Sequence, residues 1–241
     1  MAKIALIGYG RMGKAIEEII QHENSGHSIL YRIDKDNRDL LKRESLKKAD
    51  VAIEFTRPET AVSNIISCFE AGVPVVSGTT GWLSEWDKVT EQCKKSDGSF
   101  FYASNFSVGV NIFFALNQFL AEAISDQKQY EVLMEEIHHT EKLDAPSGTA
   151  ITLAEGIIRH AKKWNAWKND KIVSDNEISI ISKRETGVPG THTVAYTSAE
   201  DTIEIRHTAH SRKGFALGAV KAALWLINKK GVFGMPDMLN N

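Results

Sequence analysis

The chain has 241 residues, 42% hydrophobic and 25% charged, enough to bury a core as one large domain or two smaller ones. A formal net charge of −2 leaves no electrostatic footprint for nucleic acid or an anionic membrane, and no apolar run reaches membrane-spanning length. Cys68 and Cys93 have no metal-like or redox-like neighbours, and no basic leader precedes the first apolar run. The expectation is a cytoplasmic protein with reduced core thiols, no metal site, and no nucleic-acid or membrane partner.

A short apolar run at residues 4–7 reads as a strand. Gly8, Tyr9, Gly10, Arg11, Met12 and Gly13 follow, and then an amphipathic helix carrying Ile16, Ile19 and Ile20. Strand, G-x-G-x-x-G and helix in this order form a dinucleotide-binding fingerprint. The first glycine permits the tight turn, the second a close approach to pyrophosphate, and the third close packing of helix on strand. A second strand at 29–33 ends at Asp34, about twenty residues beyond the last glycine, where an acid accepts from a ribose hydroxyl. Lys35 beside it offers a cation to a 2′-phosphate. The pair predicts use of both NADH and NADPH.

The alternation continues with a strand at 51–55, a helix opening at Thr56-Arg57-Pro58-Glu59, a strand at 73–77, a further helix, and a strand at 100–103. This predicts an α/β fold with a doubly wound, Rossmann-like parallel sheet. Gly78, Thr79 and Thr80, and Ala103, Ser104, Asn105 and Phe106, fall at the carboxyl ends of strands, where such sheets bind ligands. Their N–H groups and hydroxyls are candidates for the nicotinamide end of a cofactor; ordinary strand-to-helix turns are the alternative.

From residue 108 the pattern changes. An apolar helix at 108–123 carries Ile112, Leu116, Phe119 and Leu120 on one stripe. Alternating segments at 131–137, 177–182, 191–197 and 202–209 predict a mixed or antiparallel sheet, with Ser198-Ala199-Glu200-Asp201 as a hairpin turn. Residues 162–176 hold Trp164 and Trp167, read as packing or interface. A last helix carries Phe215, Ala219, Ala223, Leu224 and Ile227. The expected organisation is a dinucleotide-binding domain of residues 1–106 plus 212–241, with an inserted α+β substrate-binding and oligomerisation domain of residues 107–211.

The most informative segment runs His138-His139-Thr140-Glu141-Lys142-Leu143-Asp144-Ala145-Pro146-Ser147-Gly148-Thr149. Ser147 can cap a helix over about 149–160, which leaves the N–H groups of Gly148 and Thr149 to attract a carboxylate or phosphate. Singly, each His and the Lys is ordinary surface chemistry. Two imidazoles, an ammonium and an anion-binding helix start within a dozen residues suggest a site for an acidic small molecule that needs proton transfer. Neighbouring strand residues point to opposite faces, so His138 and His139 share a pocket only if the strand ends between them.

These stretches, with Phe55-Thr56-Arg57-Pro58-Glu59, Gly78-Thr79-Thr80-Gly81, the run from Ala103 to Asn111, and Ser211-Arg212, resemble the 4-hydroxy-tetrahydrodipicolinate (dihydrodipicolinate) reductase family of bacterial lysine and diaminopimelate biosynthesis. The resemblance implies an NAD(P)H-dependent oxidoreductase acting on a cyclic imine dicarboxylate. It implies His138 and Lys142 as catalytic proton carriers, and His139, Gly148 and Thr149 as substrate contacts. It further implies Gly8 to Gly13, Asp34, Gly78 to Thr80 and Ala103 to Phe106 as cofactor contacts, and a homotetramer. The link between Asp34 and Val51 is shorter than in many family members. From the residues alone, a nicotinamide-dependent dehydrogenase of another small dicarboxylate amino or keto acid, or a dinucleotide sensor, stays open.

Overall fold

The structure is a computed structural model and describes residues 1–22, 26–171, 174–211 and 213–240. In chain order the elements are β1 (Lys3–Ile7), α1 (Arg11–His22), β2 (Ser28–Ile33), a 3-10 segment (Lys35–Leu41), α2 (Arg43–Leu46), β3 (Val51–Glu54), α3 (Pro58–Ala71) and β4 (Val75–Ser77). A 3-10 turn (Leu83–Glu85), α4 (Trp86–Lys95) and β5 (Ser99–Tyr102) follow, then α5 (Val108–Ile124), β6 (Glu131–His138), α6 (Gly148–His160), β7 (Ala166–Lys168), β8 (Glu177–Arg184), β9 (Gly190–Thr197) and β10 (Thr202–Ala209). The chain closes with α7 (Lys213–Leu226), β11 (Gly231–Phe233) and α8 (Met235–Leu239). It divides into two compact units, Met1–Val108 with Lys213–Asn241, and Gly109–Arg212. Arg212, at the predicted boundary, lies outside the described residues, as do Ile172 and Val173 of the 162–176 segment.

The first unit is a six-stranded parallel sheet in the order β11-β5-β4-β3-β1-β2. β1, β3 and β4 are near-continuously apolar because helices cover both faces. One face carries α1, α7 and α8, with Ile16, Ala219 and Ala223 buried against Leu6 and Ile53. The other carries α3 and α4, with Ile65, Phe69 and Val89 packed on Val75 and Phe100. Cys68 and Cys93 are buried free thiols in that second layer. The strand order reverses between β1 and β3, and this places a crevice at their carboxyl ends.

The sequence predicted a strand from residue 73, but β4 begins at Val75. The N–H of Val73 bonds back to the Cys68 carbonyl at 2.9 Å, and Gly72 sits at φ 71°, so Val73 completes the end of α3. β11 escaped the sequence reading because its three residues are too few to show a period.

The second unit holds a five-stranded mixed sheet in the order β10-β9-β6-β8-β7. β9 runs antiparallel to β6 and β10, and β8 runs parallel to β6 and β7. Its core joins Phe113 and Ala121 of α5 and Leu153 and Ile157 of α6 to Met134, Ile178, Ile180, Val194 and Tyr196 of the sheet. Trp164 is part of this core, its ring 5.7 Å from that of Tyr196, and Trp167 on β7 packs beside it.

The predicted apolar stripe of α5 needs correction. Ile112, Leu116 and Phe119 are 54%, 45% and 69% exposed. The buried line is Val110, Phe113, Asn117, Ala121 and Ile124. A helix apolar on most sides offers several stripes of equal period, and close packing chooses among them. Asn117 donates to the Leu153 carbonyl at 3.0 Å, beside Gly156, where any Cβ would lie 3.3 Å from the Asn117 amide. No helix among the described residues is long and apolar enough to cross a membrane.

Candidate active site

In the first unit, the glycines of the fingerprint divide by physical role. Gly8 adopts φ 94°, and a Cβ there would lie 2.0 Å from the Phe55 carbonyl oxygen. At Gly13 a Cβ would lie 2.4 Å from the Gly8 carbonyl oxygen, so the start of α1 sits tight on the end of β1. A Cβ at Gly10 meets nothing within 4 Å. The first and third glycines are therefore required by the fold, and the second stands clear of its neighbours. Arg11 opens α1 on the surface, Met12 packs against the core, and the Tyr9 hydroxyl donates to Glu17, which also holds Arg32.

The crevice encloses about 410 Å³ and is lined by Gly8, Tyr9, Gly10, Asp34, Lys35 and Arg38, with Phe55 to Arg57 on its far side. Asp34 accepts from the Lys35 N–H at 2.8 Å and caps the Lys35–Leu41 segment. That segment fills the short link to β3 and brings in Arg38, which the sequence reading did not single out; its guanidinium reaches Asn64 of α3 at 3.5 Å. This shape, with a bare helix start and an acid at the β2 end, fits a dinucleotide.

Thr79 has a different use from the one expected for its side chain. It is buried, donating to Glu54 Oε1 at 2.9 Å and accepting from the Thr56 N–H at 2.7 Å. Ser77 donates to the same carboxyl at 2.6 Å, and the Thr56 hydroxyl also contacts it. Burial pushes the Glu54 carboxyl above its usual range despite these donors. Glu54 thus ties the loops after β3 and β4 together. Gly78 lies under the Phe55 ring, where a Cβ would stand 2.1 Å from a ring carbon, and Thr80 is exposed. Ala103 and Phe106 are buried, Phe106 edge-on to Phe55 at 5.7 Å, while Ser104 is exposed and Asn105 accepts from the Ser107 N–H at 2.9 Å.

In the second unit, β6 ends at His138, so His139 lies just past the strand, half-buried. A turn closes with the Lys142 N–H on the His139 carbonyl at 3.1 Å. Glu136 and His138 are two apart on β6 and share its inner face; Glu136 has no exposed surface, and its carboxylate contacts His138 Nδ1. His192 stands opposite Glu136 on β9, and Arg184 opposite His138 on β8. Arg184 donates to Glu136 Oε1 at 2.9 Å, to the Lys142 carbonyl at 3.2 Å and to the Asp144 carbonyl at 2.6 Å. Burial alone would raise the Glu136 carboxyl, but His138, Ser182 and Arg184 overcome it and hold it at about 2. Lys142 Nζ lies 2.8 and 2.7 Å from the two Asp144 carboxylate oxygens, which keeps Asp144 below its usual range.

Ser147 caps α6 as expected, accepting from the Ala150 N–H at 3.2 Å. Gly148 is exposed and Thr149 half-buried, and the N–H groups of this first turn have no partner four residues back. A Cβ at Gly148 meets nothing within 4 Å, so internal packing does not demand glycine there. Glu136, His138 and His192 place three donor atoms within 4.8 Å, a possible cation cluster. Each is already engaged, Glu136 with Arg184 and His138, and His192 with Ser147. Glu136 was findable as the same-face neighbour of His138. Arg184 and His192 were not, because only strand pairing brings them to it.

The chain matches the N-terminal domain of dihydrodipicolinate reductase over residues 2–106 and its C-terminal domain over residues 109–239. It is 54% identical over 240 residues to the 4-hydroxy-tetrahydrodipicolinate reductase of Christiangramia forsetii, covering 99% of this chain and 98% of that protein. It is 35% identical over 244 residues to the enzyme of the same name from Methanosarcina acetivorans, covering 99% and 89%. The fold aligns with dipicolinate-bound dihydrodipicolinate reductase from Paenisporosarcina sp. TG-14 at a TM-score of 0.78 and 24% identity, over 98% of this chain and 99% of that one. With both domain matches in order and a curated relative this similar along its full length, the chain belongs to the dihydrodipicolinate reductase family, oxidoreductases that reduce 4-hydroxy-tetrahydrodipicolinate.

Proposed function

We propose that the first unit binds NADH or NADPH in the Gly8–Gly13 crevice and that the second unit binds the cyclic imine dicarboxylate and protonates it. The observation that carries this reading is that Arg184 links Glu136, the partner of His138, to the Lys142 loop, while His192 links His138 to the Ser147-capped start of α6. A bound reduced nicotinamide supplies the hydride. The 4-hydroxyl leaves as water before or together with hydride addition, and Lys142 or His138 supplies the proton for the charge that builds on the substrate's ring nitrogen or adjacent carbon; well-placed acid catalysis is worth about a hundred- to ten-thousandfold. Glu136 orients the His138 ring through Nδ1. The substrate carboxylates take the Gly148 and Thr149 N–H groups and a charge-assisted bond from His139.

Asp34 accepts from the ribose of NADH, while Lys35 and Arg38 accommodate the 2′-phosphate of NADPH, so both serve. Its partners are its small-molecule ligands and further copies of itself in the cytoplasm. A homotetramer forms through the sheet face that α5 and α6 leave open, where Leu133 is 48% exposed and Ile181 and Ala195 are half-buried. The test is nicotinamide oxidation followed with the imine made in situ from pyruvate and aspartate semialdehyde. Turnover with this substrate and none with other keto or amino dicarboxylates is expected.

A further inference from the structure

We propose that His192 is a positioning residue for the reaction, tying the His138 imidazole to the Ser147 cap of α6 so that the proton carrier and the carboxylate-binding helix start are held as one piece. The proposal rests on the site reading given above and adds a residue to it.

The hydrogen-bond accounting at Ser147 carries the argument. Its Oγ accepts from the Ala150 N–H at 3.2 Å and lies 3.0 Å from His192 Nε2. A hydroxyl has one proton and two lone pairs, so with the cap using one lone pair Ser147 Oγ still bonds Nε2, as donor or as acceptor according to the His192 tautomer. Burial, helped by the nearby His138, His207 and Lys142 and opposed by Glu136, brings the His192 pKa down to about 3. The ring is therefore uncharged throughout the neutral range, and the 3.0 Å contact with Ser147 ties it to the cap.

The other side of the ring meets His138. The two imidazoles pack edge to face, with centroids 5.0 Å apart and planes at 72°. His138 Nε2 also lies 3.0 Å from where a Cβ on Gly190 would stand, so the β9 backbone walls in the ring from below. His138 is thus bounded by Glu136 at Nδ1, by Gly190 beneath and by His192 at its flank. Of these, His192 is bonded to the α6 cap.

The test compares H192F, which keeps an aromatic edge but removes the hydrogen-bonding nitrogen, with H192Q, whose amide can both donate and accept, and with S147A and the S147A/H192F double variant. KM for the imine, Ki for pyridine-2,6-dicarboxylate, kcat and NADH affinity are measured on the full chain. H192F and S147A should each raise KM and Ki by about tenfold, the scale of one lost buried hydrogen bond, with NADH affinity unchanged. The double variant should be no worse than either single one, and H192Q should recover most of the loss. Wild-type KM in H192F, multiplicative losses in the double variant, or an H192Q as impaired as H192F would each overturn the proposal. Should H192F not fold, S147A is compared with S147T, which keeps the hydroxyl, and equal KM in those two would also overturn it. A wild-type enzyme that neither reduces the imine nor binds the dicarboxylate would instead remove the underlying site reading.

Discussion

The guanidinium of Arg184 on β8 lies 2.9 Å from the carboxylate of Glu136 on neighbouring β6, a residue with no exposed surface. The same guanidinium holds the carbonyls of Lys142 and Asp144. One side chain thus neutralises a buried charge and fixes the loop that carries the proposed proton donor.

Arg184→Met should therefore act twice. It strands a buried carboxylate, which costs about 3–5 kcal/mol, and it frees the Lys142 loop, so kcat should fall further than lost stability explains. Urea unfolding and steady-state kinetics below the unfolding midpoint separate the two. Arg184→Lys should rescue little, because an ammonium cannot span the acceptors that the planar fork reaches. Full activity in R184K would contradict this.

Lys142→Ala should lower kcat by about a hundredfold or more and leave NADH affinity unchanged. Fluorescence titration of NADH alongside the imine assay checks it; lost NADH binding would make Lys142 a structural residue.

Acid should destabilise the second unit. His192 stays neutral in the folded state, held at about 3 against its usual 6.5, and Glu136 stays ionised, held at about 2 against 4.5. In both cases the unfolded chain binds protons more readily. Stability is then full above pH 6.5, falls first through His192 and below pH 4.5 through Glu136 as well. The loss from pH 7 to 4 should reach a few kcal/mol, read as a drop in urea midpoint, and H192Q should flatten the limb between pH 6.5 and 4.5.

The fingerprint glycines should separate folding from binding. Gly13→Ala puts a Cβ 2.4 Å from the Gly8 carbonyl and should lower Tm sharply, while Gly10→Ala meets nothing within 4 Å and should fold as wild type. G10A should still bind NADH at least several-fold more weakly if the pyrophosphate lies over Gly10 as proposed, because its methyl group would then meet it. Calorimetry with and without NADH distinguishes them.

Arg38→Ala should raise KM for NADPH several-fold and leave that for NADH nearly unchanged, since Asp34, the proposed ribose acceptor, is untouched. An equal effect on both cofactors would place Arg38 outside any 2′-phosphate contact.

Much of the fold is legible in the sequence. Glycines that only a strand-turn-helix junction requires, and apolar runs too continuous for a one-sided sheet, announced the parallel sheet. The His138–Thr149 segment gathered its reactive groups within a dozen residues, close enough for local geometry to show. Ser147 could be read as a cap because capping is a contact across three residues.

Sequence periodicity could not choose which stripe of α5 is buried, because the helix is apolar on most sides and the choice belongs to Ala121 and Asn117 against α6. Nor could it foresee that the Thr79 hydroxyl turns inward to Glu54, or that a 3-10 segment brings Arg38 to the cofactor crevice. Arg184 and His192 lie dozens of residues from His138 in the chain, and each meets it only through the register of a neighbouring strand. The sequence by itself determined the types of the longer elements and the clustering of reactive groups in residues 138–149, because turns, caps and periods are short-range. Tertiary structure alone decided which distant charges neutralise Glu136 and which ring flanks His138, because strand pairing and burial are long-range and set the ionisation of Glu136 and His192.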